Sequence, residues 1–246
     1  MRAVLCTSGG APGREVLERL AASQAVAVVG VVRSTRIISA RYGLLRGAWE
    51  QWRRSGLRYA CYLGCALLRG PSARGVPALA TRDVNLPEAQ RFLESLQPDL
   101  LVSAFFNQRI GEALAAAPRF GALNIHPSLL PALRGVDPVF YARLRGVGLG
   151  VTVHRISPQL DCGNIIAQEA LSVPERESVL AATARLYARG AELLLGSLEA
   201  VRAGAPGTPQ HAAGQYDSWP RRAEVRALRR KGVSLVRLRD LLPPGP

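Results

Sequence analysis

The sequence predicts an α/β protein built on a mostly parallel sheet flanked by helices. Three observations point there. Short, almost unbroken apolar runs such as AVAVVGVV at 25–32 suit strands buried on both faces. These runs alternate with stretches of helical period, the order that crossover connections impose. The run ending at His126-Pro127 opens into a loop rich in Pro and Gly, and an open sheet of this class builds its site at such strand ends. At 246 residues and 48% hydrophobic, the chain has room for one large domain and a small appendage.

Taken in order, residues 2–7 (RAVLCT) read as the first strand, followed by the turn Ser8-Gly9-Gly10-Ala11-Pro12-Gly13 and a helix, REVLERLAAS. The run 25–32 is the second strand. Residues 41–70 are helical and broken at Gly56, with one apolar side and one studded with Arg41, Arg46, Arg53, Arg54, Arg58 and Arg69 against Glu50 alone. VPALA at 76–80 is a short strand, and PEAQRFLESL at 87–96 is a helix that starts on Pro. A strand at 99–105, a helix at 109–117 and a strand at 121–126 follow. PVFYARLRG at 138–146 is helical, whereas 149–156 and 163–173 alternate as an antiparallel pair. A long helix from Glu175 to about Val201 carries Leu180, Ala184, Tyr187, Ala191, Leu194 and Leu198 at helical spacing. Residues 204–215 read as a linker, 222–230 as a basic tail helix, and VSLVRL as a last strand.

The formal charge of +14 favours anionic partners, although an Arg-rich composition accounts for it equally well. Cys6, Cys61, Cys65 and Cys162 make no CxxC pattern, so no metal site and no disulfide framework is expected, which suits a reducing cytoplasm. The N-terminus begins directly as a strand with no secretory segment, and no apolar run reaches the roughly 18 residues of a spanning helix. An amphipathic helix such as 41–70 can lie on a membrane, but a helix covering the sheet presents the same pattern and is the expected reading. The turn SGGAPG is neither GxGxxG nor a P-loop, and Arg33 stands where a ribose-binding carboxylate would be needed, which argues against NAD. Ser8, Gly9 and Gly10 at a helix N-terminus can hold an anion or simply make the turn.

The chemistry is concentrated in GALNIHPSLLPALRGVD at 121–137 and GVTVHRISPQLDCGNIIAQ at 150–168. Asn124 and His126 are two apart, so a strand aims both side chains to one side. Asp161 lies in the loop between two strand-like runs. Asn and His can donate to an oxygen gaining negative charge, and a carboxylate can orient the imidazole and relay a proton through water. No Ser or Cys stands in a nucleophile motif, so direct attack by a bound amine is favoured over a covalent intermediate.

LNIHPSLLPALRG with the downstream LDCG resembles the 10-formyltetrahydrofolate-dependent formyltransferases of glycinamide ribonucleotide, methionyl-tRNA and amino sugars. The resemblance covers roughly residues 1–203 and implies a Rossmann-like formyltransferase fold with a helical insert at 41–70. It leaves 204–246 as a linker and short C-terminal extension packing near the acceptor site. It implies Asn124, His126 and Asp161 as catalytic residues, with Asp161 keeping His126 charged. The co-substrate 10-formyltetrahydrofolate would be held by Phe106, Gln108, Arg109 and Ile110 on one side, and by Ser157 and Leu160 on the other. Ser8, Gly9, Gly10, Arg14, Gly135 and Tyr216 are expected toward the acceptor.

The chain departs from that family's glycinamide ribonucleotide members in lacking the asparagine of their phosphate loop, and the stretch after Gly204 is too short for the barrel of the methionyl-tRNA members. The expected activity is therefore cytoplasmic formyl transfer to a small-molecule amine, an amino sugar nucleotide being favoured for its phosphate. The alternative is a formyl-folate hydrolase or a non-catalytic folate-binding protein. No nucleic-acid partner is expected, membrane association is not favoured, and the aromatic face of 41–70 could make a homodimer.

Overall fold

The computed structural model describes residues 1–36, 44–67, 75–211 and 215–241. The predicted architecture is present: a seven-stranded, mostly parallel sheet flanked by helices. Its first half consists of β1 (Arg2–Thr7), α1 (Gly10–Ala22), β2 (Ala27–Ser34), α2 (Leu44–Ser55), α3 (Leu57–Leu67), β3 (Ala78–Thr81), α4 (Pro87–Leu96), β4 (Leu100–Ala104) and α5 (Glu112–Ala116). The second half consists of β5 (Ala122–His126), β6 (Arg134–Gly135), α6 (Pro138–Arg145), β7 (Leu149–Arg155), β8 (Ile165–Leu171), α7 (Val179–Gly196), α8 (Leu198–Arg202), β9 (Tyr216–Asp217) and α9 (Arg222–Arg230). The strand order is β3-β2-β1-β4-β5-β7-β8. Pairing is parallel from β3 to β5 and antiparallel from β5 through β7 to β8.

The apolar runs form strands because both sheet faces are covered. On one face Leu5, Val102, Leu123 and Ile125 pack with Leu17 and Leu20 of α1 and Leu194 of α7. On the other, Val4, Cys6, Val32 and Leu101 pack with Ala89 and Leu93 of α4 and Leu114 of α5. A third cluster joins Tyr59 and Tyr62 of α3, Phe140 of α6 and Leu228 of α9. It ties the insert and the tail to Leu149 of β7 and to Val179 and Leu180 of α7.

The differences from expectation lie in turns and in the tail. The first helix starts at Gly10 rather than Arg14, and its N-terminal turn is a packing surface. Gly10 has φ +68°, and a Cβ there would fall 1.6 Å from the Ala66 carbonyl oxygen of α3. The long helix is divided at Ser197 into α7 and α8. VSLVRL is not a strand: the carbonyls of Ser234 and Leu235 accept from the Val179 and Leu180 N–H groups, which the start of α7 leaves unpaired. The two-residue strands β6 and β9, which pair with each other, were not anticipated. The insert forms α2 and α3 as expected, but Arg41 and Arg69 lie outside the described residues.

Candidate active site

β5 is flanked by β4 and β7, and it presents Asn124 and His126 two residues apart at its C-terminal end. The loop from β7 to β8 brings Asp161 to them, in the left-handed region at φ +55°. His126 Nδ1 lies 3.6 Å from Asp161 Oδ1. His126 Nε2–H donates to the Leu133 carbonyl oxygen at 2.9 Å. That bond leaves Nδ1 as the nitrogen directed at the carboxylate. Asp161 is also held by the Gly135 N–H, which donates to Oδ2 at 3.1 Å.

All three residues line one cavity of about 370 Å³. Of the expected co-substrate residues, Phe106, Gln108, Arg109 and Leu160 line it. Arg109 donates to the Pro158 carbonyl, so the two loops expected to flank the co-substrate are joined. Gln108 is only 7% exposed, and its amide serves Val84 N–H, Ser34 Oγ and the Thr81 carbonyl. Ile110 and Ser157 are not among the lining residues. Ile110 is buried beside Val84 and Leu114, and Ser157 donates to the Gln159 carbonyl.

On the acceptor side, Ser8, Gly135 and Tyr216 line the cavity, whereas Gly9, Gly10 and Arg14 do not. Arg14 pairs with Glu18 along α1. Gly135, at φ +128°, is needed because a Cβ would fall 2.0 Å from the Asp217 carbonyl oxygen of β9. Its missing side chain therefore accommodates the tail.

Several lining residues were not singled out from sequence. Tyr59, Tyr62 and Trp219 close the cavity from the insert and the tail. Tyr59 donates to Asp137 Oδ2 at 2.7 Å, and Asp137 Oδ1 caps α6 by accepting from the Phe140 N–H. Burial raises the Asp137 carboxyl above its ordinary range, and burial followed by the Asp137 charge raises both phenols. The available signal was the pair of tyrosines three apart on a helix.

His154 was also missed, although alternation along β7 places it opposite Asn124. Its Nδ1–H donates to the Arg155 carbonyl at 2.8 Å, and its Nε2 lies 3.1 Å from Asn124 Nδ2. Burial, reinforced by the nearby His126, lowers its pKa to about 4, so it is neutral.

Among curated proteins, the chain is 37% identical over 121 residues to a methionyl-tRNA formyltransferase of Geobacillus thermodenitrificans, covering 49% of this chain and 38% of that protein. It is 36% identical over 149 residues to the Chloroflexus aggregans protein of the same name, covering 60% and 45%. The chain thus spans less than half the length of these relatives. The fold matches a sugar N-formyltransferase from a Shewanella species at a TM-score of 0.59 and 18% identity, covering 89% of this chain and 76% of that one. It also matches glycinamide ribonucleotide transformylase 1 of Symbiobacterium toebii at 0.59 and 21%, covering 85% and 93%.

Relatives named for a tRNA substrate overturn the expectation that nucleic acid is no partner. The physical reason lies in where the charge sits. Arg53, Arg54 and Arg58 on α2 and α3 are exposed, as are Arg226, Arg229 and Arg230 on α9, and α2 packs against α9. Among the described residues none of these six forms an ion pair; some arginines elsewhere do, as in Arg185–Glu177 and Arg189–Glu169, and others such as Arg33, Arg82 and Arg91 do not. Composition alone could not reveal that these exposed arginines gather on two packed helices. No helix among the described residues is long and apolar enough to cross a membrane. The formyl transferase family model matches residues 64–198, more than half of the 246, and that stretch carries Asn124, His126 and Asp161; the chain belongs to the 10-formyltetrahydrofolate-dependent formyl transferase family.

Proposed function

We propose that this protein transfers a formyl group from 10-formyltetrahydrofolate to an amine. The observation that carries the reading is the convergence of Asn124, His126 and Asp161 on one cavity, with His126 Nδ1 directed at the carboxylate. The residues present fit the co-substrate. The cavity is lined by Phe106–Arg109 and by Leu160, whose loops are joined by the Arg109–Pro158 hydrogen bond, with Phe106 and Leu160 as apolar walls. When bound, the co-substrate supplies an activated formyl carbon. The Asn124 N–H and a protonated His126 Nδ1 serve as donors to a carbonyl oxygen as it gains negative charge. Asp161 pairs with His126 and would relay the proton lost by the attacking amine, through water, to the co-substrate nitrogen that gives up the formyl group. Residues 1–203 then form the catalytic unit, and 204–246 close it through β9 and α9.

For the acceptor, the exposed arginines of α2, α3 and α9 support an amine carried on a long polyanion. Trp49 and Trp52 stand among them at 49% and 44% exposure, and aromatic side chains can stack on bases. The relatives' names make an aminoacyl-tRNA the leading candidate. An amino sugar nucleotide is the second reading, favoured by the aromatic wall that Tyr59, Tyr62 and Trp219 give the same cavity. The free cysteines suit a reducing cytoplasm as the compartment.

The test is to incubate the protein and 10-formyltetrahydrofolate with methionyl-tRNA, with amino sugar nucleotides, and with water alone, and to detect products by mass. Formylated amine supports the proposal. Formate released at the same rate without amine identifies a hydrolase, and no turnover in any arm identifies a binding protein.

A further inference from the structure

We infer that His154 is a positioning residue that fixes which way the Asn124 side-chain amide faces. The inference rests on reading Asn124 as a donor to the reacting carbonyl. Asn124 and His154 are direct cross-strand partners on β5 and β7, and His154 is 2% exposed. Its two ring nitrogens have fixed roles. The Arg155 carbonyl, 2.8 Å from Nδ1, can only accept, so Nδ1 carries the proton. Burial keeps the ring neutral, so Nε2 is a bare acceptor.

Asn124 Nδ2, 3.1 Å from Nε2, must therefore be the donor. A flipped amide would set Oδ1 against the Nε2 lone pair, two acceptors in contact inside the sheet. With the amide held this way, one N–H is spent on His154 and the second remains a donor toward the cavity that Asn124 lines. The neighbouring imidazoles thus divide the work, their ring centroids 6.2 Å apart. His126 faces Asp161 and can carry charge, while His154 stays neutral and presents a lone pair.

Two measurements test this on the full chain. Nitrogen-15 NMR of histidine-labelled protein should show His154 as the neutral Nδ1–H form between pH 6 and 8. An Nε2–H tautomer or an imidazolium there would overturn the inference whether or not any acceptor has been found. In the transfer assay, His154→Leu should lower kcat by roughly 10- to 100-fold with donor KM changed by less than about twofold. His154→Gln, which restores an acceptor oxygen, should recover most of that loss. In an Asn124→Ala background, His154→Leu should cost less than about twofold, since no amide remains to orient. Equal losses in both backgrounds, or equal losses with Leu and Gln, would reduce His154 to a packing residue. A wild-type protein with no transfer would instead undo the reading of the site, and the tautomer would still be measured.

Discussion

His126 has one nitrogen tied to the Leu133 carbonyl and one facing Asp161, so the chemistry of the site passes through Nδ1. Replacing His126 with Ala should lower turnover by roughly 10²–10³, with co-substrate affinity measured by titration nearly unchanged. Asp161→Asn should be comparably severe, because Nδ1 loses its charge partner while the Gly135 N–H still has an acceptor. Retention of near-normal kcat at saturating co-substrate by either variant would refute the roles. His154 gives a separate, pH-based prediction. Its pKa is lowered to about 4, by burial first and then by the charge of His126, with the Arg155 carbonyl and Asp161 opposing and Arg134 adding to the decrease. An unfolded histidine titrates near 6.5. Between those values the unfolded chain binds more protons, so stability is full above about 6.5 and falls as pH drops toward 4. The loss attributable to this group is on the order of 3 kcal/mol. Urea unfolding at a series of pH values should show that slope in the wild type and a flatter one in His154→Gln.

At the level of elements, the insert is the part whose position follows least from its own pattern. α3 packs its last turn on the β1–α1 turn, where Gly10 leaves no space for a Cβ. Gly10→Ala should destabilise the protein by about 2–3 kcal/mol in urea unfolding, since it adds both a left-handed penalty and a backbone clash. It should also disturb the Tyr59 and Tyr62 wall. Tyrosine fluorescence and stability unchanged from wild type would mean that α3 does not rest there. Strands and helices with a clean period were legible in the sequence, and α4 and α9 occur at the predicted bounds. Asn124, His126 and Asp161 were legible because polar residues are rare in those apolar segments. What could not be read were contacts between distant segments: β9 against Gly135, the VSLVRL stretch against the start of α7, and the tyrosines over Asp137. Each depends on a pairing that local periodicity does not encode. The Gly9-Gly10 turn invited an anion-binding reading for the same reason, since α3 packing against it is invisible in sequence.

Over the whole molecule, the insert and the tail are both rich in arginine, and their helices α2 and α9 pack together. Arg222 stacks over Trp52 and donates to its carbonyl, and Arg53 lies over Trp49, so the two helices form one basic and aromatic face. If the acceptor amine is carried on RNA, the triple variant Arg226→Gln, Arg229→Gln, Arg230→Gln should raise acceptor KM at least tenfold with kcat nearly unchanged. The slope of log affinity against log salt should become shallower by about three. Acceptor kinetics indifferent to both changes would favour the small-molecule reading. The most direct test of the central claim is product formation by the intact chain with 10-formyltetrahydrofolate and a panel of amines, run beside Asn124→Ala and His126→Ala. The account predicts an N-formylated amine formed one for one with tetrahydrofolate, and at least a hundredfold loss in both variants. Formyl transfer that persists in both variants, or co-substrate consumed with only formate released, would contradict it.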